Sequence, residues 1–141
     1  MRAIWLALLL TGCLRDMVPN TAPRVVAING REVPRWEANS PNPEPLQFRL
    51  GQTLEIDFTL EDRQGHDIEV LFPEPHPGWH WDPATTTVTW DVPTNLVDPD
   101  TSALMILRDD HPSDPRHTVV WLGLWSPDWP VADDIDGAFE R

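Results

Sequence analysis

Five carboxylates stand at the ends of apolar runs. Glu61 and Asp62 close the segment QTLEIDFTLED, Asp67 opens DIEVLF, and Asp109 and Asp110 follow ALMILR. A hard divalent cation needs six to eight oxygen ligands converging at about 2.3–2.6 Å. If these runs are strands of one sandwich, the ends at Asp62 and Asp110 fall at the same pole. Two readings fit the five acids: a calcium site, or a solvated acidic rim that serves solubility. The sequence requires no cofactor, and calcium is the one candidate. His76 and His80 have the spacing of a helical metal pair, but Pro77-Gly78 between them forbids a helix. Ser40, Ser102, Ser113 and Ser126 all read as residues of Pro- or Asp-flanked loops, none inside a G-x-S-x-G nucleophile elbow. There is no glycine-rich phosphate loop either. The chemistry-bearing residues therefore point to binding and not to catalysis, and the chain is not expected to be an enzyme.

Charge narrows the partners. The 141 residues carry ten basic side chains, all arginine, against 23 acidic ones, a formal charge of −13. Ten scattered arginines do not build the clustered cationic surface that nucleic acid needs, so nucleic acid is excluded as a partner. Sixteen prolines argue against a helical bundle, and the chain has eight tryptophans, seven of them beyond Trp5, with no tyrosine.

The elements that would position these groups are strands. Leu54, Ile56, Phe58 and Leu60 alternate with Glu55, Asp57, Thr59 and Glu61, the period of a half-buried strand. Asp67 to Phe72 and Thr85 to Val92 read the same way, and Arg24 to Asn29 is a short strand ending in Asn29-Gly30, a hairpin turn signal. Ala103 to Leu107 and Thr118 to Trp125 are apolar on both faces, the pattern of central strands in a packed sheet. Turn residues separate these runs every eight to twelve positions, which predicts an all-β sandwich of about seven short strands. Trp79 and Trp81 are placed to pair with Trp90 across a hairpin closed by Asp82-Pro83. Two uses remain open for these rings, ordinary packing or stacking platforms for a sugar. Two or more coplanar exposed rings among Trp36, Trp79, Trp81, Trp125 and Trp129 would favour the sugar.

The only cysteine, Cys13, lies directly behind Ala3 to Leu10 (AIWLALLL), with Arg2 before it. Eight apolar residues reach about 12 Å as a helix, short of the ~30 Å core of a bilayer, so the run reads as an export signal and not as a span. The stretch Leu10, Thr11, Gly12, Cys13 resembles a bacterial lipoprotein lipobox at every position. The resemblance implies cleavage before Cys13 and lipidation there, and Leu14 in place of Asp after the cysteine implies the outer membrane over the inner one. Loss of Arg2 leaves nine basic against 23 acidic residues, or −14.

Three segments in order, Leu60-Glu61-Asp62 to Asp67, Gly78-Trp79-His80-Trp81-Asp82-Pro83 to Val92-Pro93, and Leu107-Arg108-Asp109 to the last strand, are similar to cadherin-like, dystroglycan-type immunoglobulin-fold domains of bacterial surface proteins. Arg63, His66 and Thr86 depart from that pattern. The resemblance implies an immunoglobulin/cadherin-like sandwich whose acids Glu61, Asp62, Asp67, Asp109 and Asp110 bind calcium, as in relatives that hold it between consecutive domains. The expected organisation is a signal peptide over 1–12, the lipidated cysteine and tether over 13–23, the sandwich over 24–126 and an acidic tail over 127–141. The expected function is a lipid-anchored cell-envelope module for non-catalytic binding, adhesion or scaffolding, calcium-stabilised if the acids bind. It would meet the membrane through its lipid and an envelope protein through the domain. The alternative is a carbohydrate-binding module that takes a glycan on Trp79 and Trp81.

Overall fold

The alternating segment becomes the long strand on which the first sheet is built. In a computed structural model, residues 19–35, 45–96 and 102–128 are described. The lipobox residues Leu10, Thr11, Gly12 and Cys13, most of the tether, Trp36 and the tail from Trp129 lie outside them. The strands are β1 (Arg24–Ile28), β2 (Arg31–Glu32), β3 (Leu46–Gln47), β4 (Thr53–Glu61), β5 (Ile68–Leu71), β6 (Trp79–Asp82), β7 (Thr87–Asp91), β8 (Ser102–Asp109) and β9 (His117–Trp125). Seven of these have four residues or more, and β2 and β3 have two each.

The order is β2-β1-β4-β7-β6 in one sheet and β3-β9-β8-β5 in the other. Among the described residues, only β3 and β9 pair in parallel; the other pairs are antiparallel. The chain crosses between sheets from β2 to β3, β3 to β4, β4 to β5, β5 to β6 and β7 to β8. Four strands β1-β4-β7-β6 facing β9-β8-β5 is the strand order of an immunoglobulin-type sandwich. Its turns are set locally. Asn29 and Gly30 both take positive φ (49° and 75°), the two-residue turn that matches strand twist, and Ile28 pairs with Arg31 across it.

The core lies between the sheets. Ile56 and Phe58 from β4, Val88 and Trp90 from β7, Met105 and Leu107 from β8, and Val120, Leu122 and Leu124 from β9 are all buried. Each set occupies alternate positions, as one buried face per strand requires. Trp90 is the largest of these side chains and is fully buried. Its indole N–H donates to the Pro77 carbonyl at 3.0 Å. Its ring meets Phe48, His76 and Trp79 at centroid separations of 4.9, 5.1 and 5.6 Å.

The hairpin expected around Trp79, Trp81 and Trp90 forms, with Trp79 opposite Trp90 and Trp81 opposite Val88. Gly78 enters it at φ 82°, where a Cβ would stand 2.3 Å from the Asp91 carbonyl oxygen. Two substitutions should therefore weaken the fold strongly. Trp90→Ala is expected to cost about 3–5 kcal/mol through the cavity it leaves. Gly78→Ala, which meets both a forbidden φ and backbone overlap, should cost about 2 kcal/mol or more. Urea unfolding followed by tryptophan fluorescence and circular dichroism measures both. A loss under about 1 kcal/mol for Trp90→Ala would show that the ring is not the anchor of the core.

Candidate functional site

Two features of the surface could engage a ligand, a polar pole and an apolar sheet face. The pole is built where β4 and β8 end, with the segment at residues 19–23 laid across them. Asp62 follows β4, and its Oδ1 accepts the backbone N–H of Gln64 at 2.9 Å and of His66 at 3.0 Å. This is the turn an aspartate makes with its own following amides, and it fixes the carboxylate inward. The Asp62 side chain is 1% exposed, and its Oδ2 has no hydrogen-bond partner. His66 Nδ1 lies 3.2 Å from Asp62 Oδ1.

Asp109 ends β8 from the other sheet and is 3% exposed. Its Oδ1 accepts the N–H groups of His111 at 3.2 Å and Arg116 at 3.0 Å. Its Oδ2 accepts Asn20 Nδ2 at 2.7 Å. The same Asn20 nitrogen donates to the Asp114 carbonyl at 2.8 Å, which fixes the amide's orientation and leaves Oδ1 buried without a partner. His111 Nδ1 accepts the N–H groups of Ser113 and Asp114, and its ring meets that of His66 at 5.0 Å. One ligand atom each from Asp62, His66 and Asp109 lies within 4.8 Å of the others. Burial alone would push the Asp109 carboxyl up. The Arg116 N–H, the Asn20 amide, the His111 N–H and the charge of His66 outweigh burial and hold it below the ordinary aspartate value.

Of the five acids singled out in the sequence, this arrangement joins Asp62 and Asp109. Glu61 turns the other way, to Arg24, whose Nε and Nη2 approach its Oε2 at 3.0 and 2.9 Å. Asp67 and Asp110 are exposed on the rim and tie their loops together. The Asp67 N–H donates to Asp110 Oδ1 at 3.1 Å, and the Asp110 N–H donates to the Asp67 carbonyl at 3.2 Å. His66 and Asn20 join the buried group without a spacing signal that marks them: His66 reads as a turn residue and Asn20 as tether.

The second feature is the outward face of the four-stranded sheet. On β9 the even positions Val120, Leu122 and Leu124 are buried, so Val119, Trp121 and Trp125 point away from the core. Trp121 is 51% exposed, Trp125 48% and Leu71 of β5 43%. Register places Leu104 opposite Trp121, Ile106 opposite Val119 and Leu71 opposite Ile106, so an apolar stripe runs across three strands. Apolar residues on both faces of β8 and β9 here serve a surface, because each sheet of a sandwich has a single core-facing side.

Trp79 and Trp81 are half-buried and packed against the core. Phe72 contacts them at 5.6 and 5.7 Å, and Phe58 meets Trp81 edge-on at 6.2 Å. The exposed rings among the described residues are Trp121, which no motif marks, and Trp125. The signal for Trp121 was the alternation of β9 itself, aromatic at the odd positions of a strand whose even positions fill the core.

The chain matches no family model and no curated protein. Among solved structures, a chimeric titin Z1Z2 functionalised with an exogenous KLER peptide from decorin is similar at 13% identity, covering 77% of this chain and 99% of that one, with a TM-score of 0.34.

Asp109 gives the pole a pH signature. Its folded value is depressed, so its contribution to stability is complete above the ordinary aspartate range and is lost as pH falls through that range towards the folded value. Asp109→Asn should lower stability at pH 7 by about 1–3 kcal/mol, since its oxygens accept three hydrogen bonds in a buried position. The variant's unfolding free energy should also change less than the parent's between pH 5 and pH 2. Urea titrations at a series of pH values measure both, and parallel pH profiles would refute the assignment.

Proposed function

We propose that this chain is a membrane-tethered, non-catalytic binding module of the cell envelope. It engages a partner protein through the outward face of the β3-β9-β8-β5 sheet. The observation that carries this reading is the exposure of Trp121 and Trp125 on one side of one strand, extended by Leu71. Tryptophan is among the residues most enriched at the energetic centres of protein interfaces. A chain with 23 acidic side chains keeps this stripe free of them except at its edge, where Glu69 pairs with Arg108. The lipobox-like Leu10-Thr11-Gly12-Cys13 supports attachment through a lipid on Cys13, and the cadherin-like pattern of residues 78–93 supports an adhesive or scaffolding role.

A glycan is the second reading, favoured by the same two rings. Four strand positions separate them by about 13 Å, a span that could stack several sugar units in a row.

Both parts of the proposal are open to test in cells that express the full chain. Cys13→Ser should move the protein from the membrane fraction to the soluble fraction, and retention at the membrane would overturn the tether. A photo-crosslinking residue in place of Leu104 should trap one envelope protein of defined mass. That adduct should disappear when Trp121→Arg and Trp125→Arg are combined, each anchor being worth about 2 kcal/mol or roughly 30-fold in affinity. Absence of any protein adduct, with Trp121-dependent retention on envelope polysaccharide, would assign the face to a glycan instead.

A further inference from the structure

Buried polar atoms are almost always hydrogen-bonded, and an orphan asks for an explanation. Among the described residues four side-chain atoms are buried without a hydrogen bond, and three of them belong to residues of the pole: Asn20 Oδ1, Asp62 Oδ2 and His66 Nδ1. All three can act as electron-pair donors to a cation. They adjoin Asp109, and the Asp62 side chain that aims one of them inward is 1% exposed.

We propose that Asp62, His66 and Asp109, with the Asn20 amide oxygen as a fourth ligand, bind one divalent transition-metal ion of the zinc class. The donor set decides the class. One imidazole nitrogen with two carboxylates and an amide oxygen is a borderline, four-coordinate set of the kind zinc takes. Calcium needs six to eight oxygens. The other acids of this pole do not supply them, because Glu61 is held by Arg24 and Asp67 and Asp110 are exposed on the rim.

The spacing fits as well. Tetrahedral ligands at about 2.0–2.2 Å from zinc stand about 3.3–3.5 Å from one another. His66 Nδ1 and the Asp62 carboxylate are already 3.2 Å apart, and the three-residue group spans no more than 4.8 Å. Closing that span onto an ion takes movements of about 1 Å.

The supports are of the kind metal ligands have, with each ligand oriented by a second set of hydrogen bonds. Asp62 Oδ1 is fixed by the Gln64 and His66 amides, Asp109 by those of His111 and Arg116, and the Asn20 amide by the Asp114 carbonyl. A cleft lined by Arg108, Asp109, Asp110, His111 and Pro115 opens beside the group and gives an ion a way in. The ion would also fasten the chain around Asn20 to the loops that follow β4 and β8. Thr21 is already fixed there through its N–H and hydroxyl, both donating to Gln64 Oε1. Metal occupancy would then set the direction in which the tether leaves the domain.

The test uses the full chain, stripped with EDTA, dialysed, and titrated with zinc chloride, calcium chloride or magnesium chloride. Calorimetry is expected to show one zinc per chain, and saturating zinc should raise Tm by about 5 °C or more. Millimolar calcium and magnesium should leave Tm unchanged. His66→Gln should weaken zinc binding by about tenfold or more, whereas His80→Ala on β6 should leave it intact. Asp62→Asn is less decisive because Asp62 also closes its own loop, so His66→Gln is the deciding variant. No zinc response, or a response that survives His66→Gln, would overturn the site. A rise in Tm with calcium and none with zinc would also overturn it, and would return the pole to an all-oxygen site on its acids.

Discussion

Trp90 joins the two sheets, and the rest of the domain is arranged around that contact. It belongs to β7 in the five-stranded sheet, yet its nearest ring is Phe48, just beyond β3 in the other. Phe48 in turn donates its N–H to the carbonyl of Trp125 at the end of β9. A chain with one cysteine cannot bridge its sheets with an internal disulfide, so aromatic packing has to do what a covalent link does in many immunoglobulin-type domains. The consequence reaches the surface. By fixing the backbone at the end of β9, the core contact also fixes the strand phase that turns Trp121 and Trp125 outward.

The same stacking of sheets creates the pole. Asp62 directly follows a strand of one sheet and Asp109 ends a strand of the other. Their carboxylates approach only because both strands stop at the same end of the sandwich. Each is then turned inward by backbone amides of its own loop, which neutralise part of its charge without neutralising all its oxygen lone pairs. Asn20 completes the enclosure from a third direction. Its amide orientation is unambiguous, because both neighbours of the nitrogen, Asp109 Oδ2 and the Asp114 carbonyl, are acceptors.

Much of this was legible in the residues. The period-two alternation of 54–61 marked β4, the Asn29-Gly30 pair marked the first hairpin, and the Asp82-Pro83 turn marked the tryptophan hairpin. Strand-end position was enough to bring Asp62 and Asp109 together. Side-chain direction was not legible, because it is decided by partners far away in sequence. Glu61 follows Arg24, 37 positions earlier, out of the pole, while Asp62 is turned in by its own loop. For β8 and β9, apolar residues on both faces signalled central strands, which they are. Only the number of layers tells whether the second face is covered, and strand patterns do not contain that number. His66 and Asn20 escaped for a related reason: a single polar residue in a turn or a tether has no periodicity, and its role comes from burial alone.

The pole and the apolar face share strands, and this fixes their relative placement. β9 starts at His117, paired with Arg108 beside Asp109, and ends at Trp125, eight residues on. At about 3.3 Å per residue, Trp125 stands some 26 Å from the pole along the strand. The segment at Asn20 is bound at the pole, seven positions after Cys13. If Cys13 carries the lipid, the sandwich meets its tether at the pole, and the strand carries the exposed rings progressively away from that attachment. A face pointed into the membrane would need no such separation. A face meant to reach a partner standing off the lipid surface does need it, and the strand direction that supplies it is set by the core.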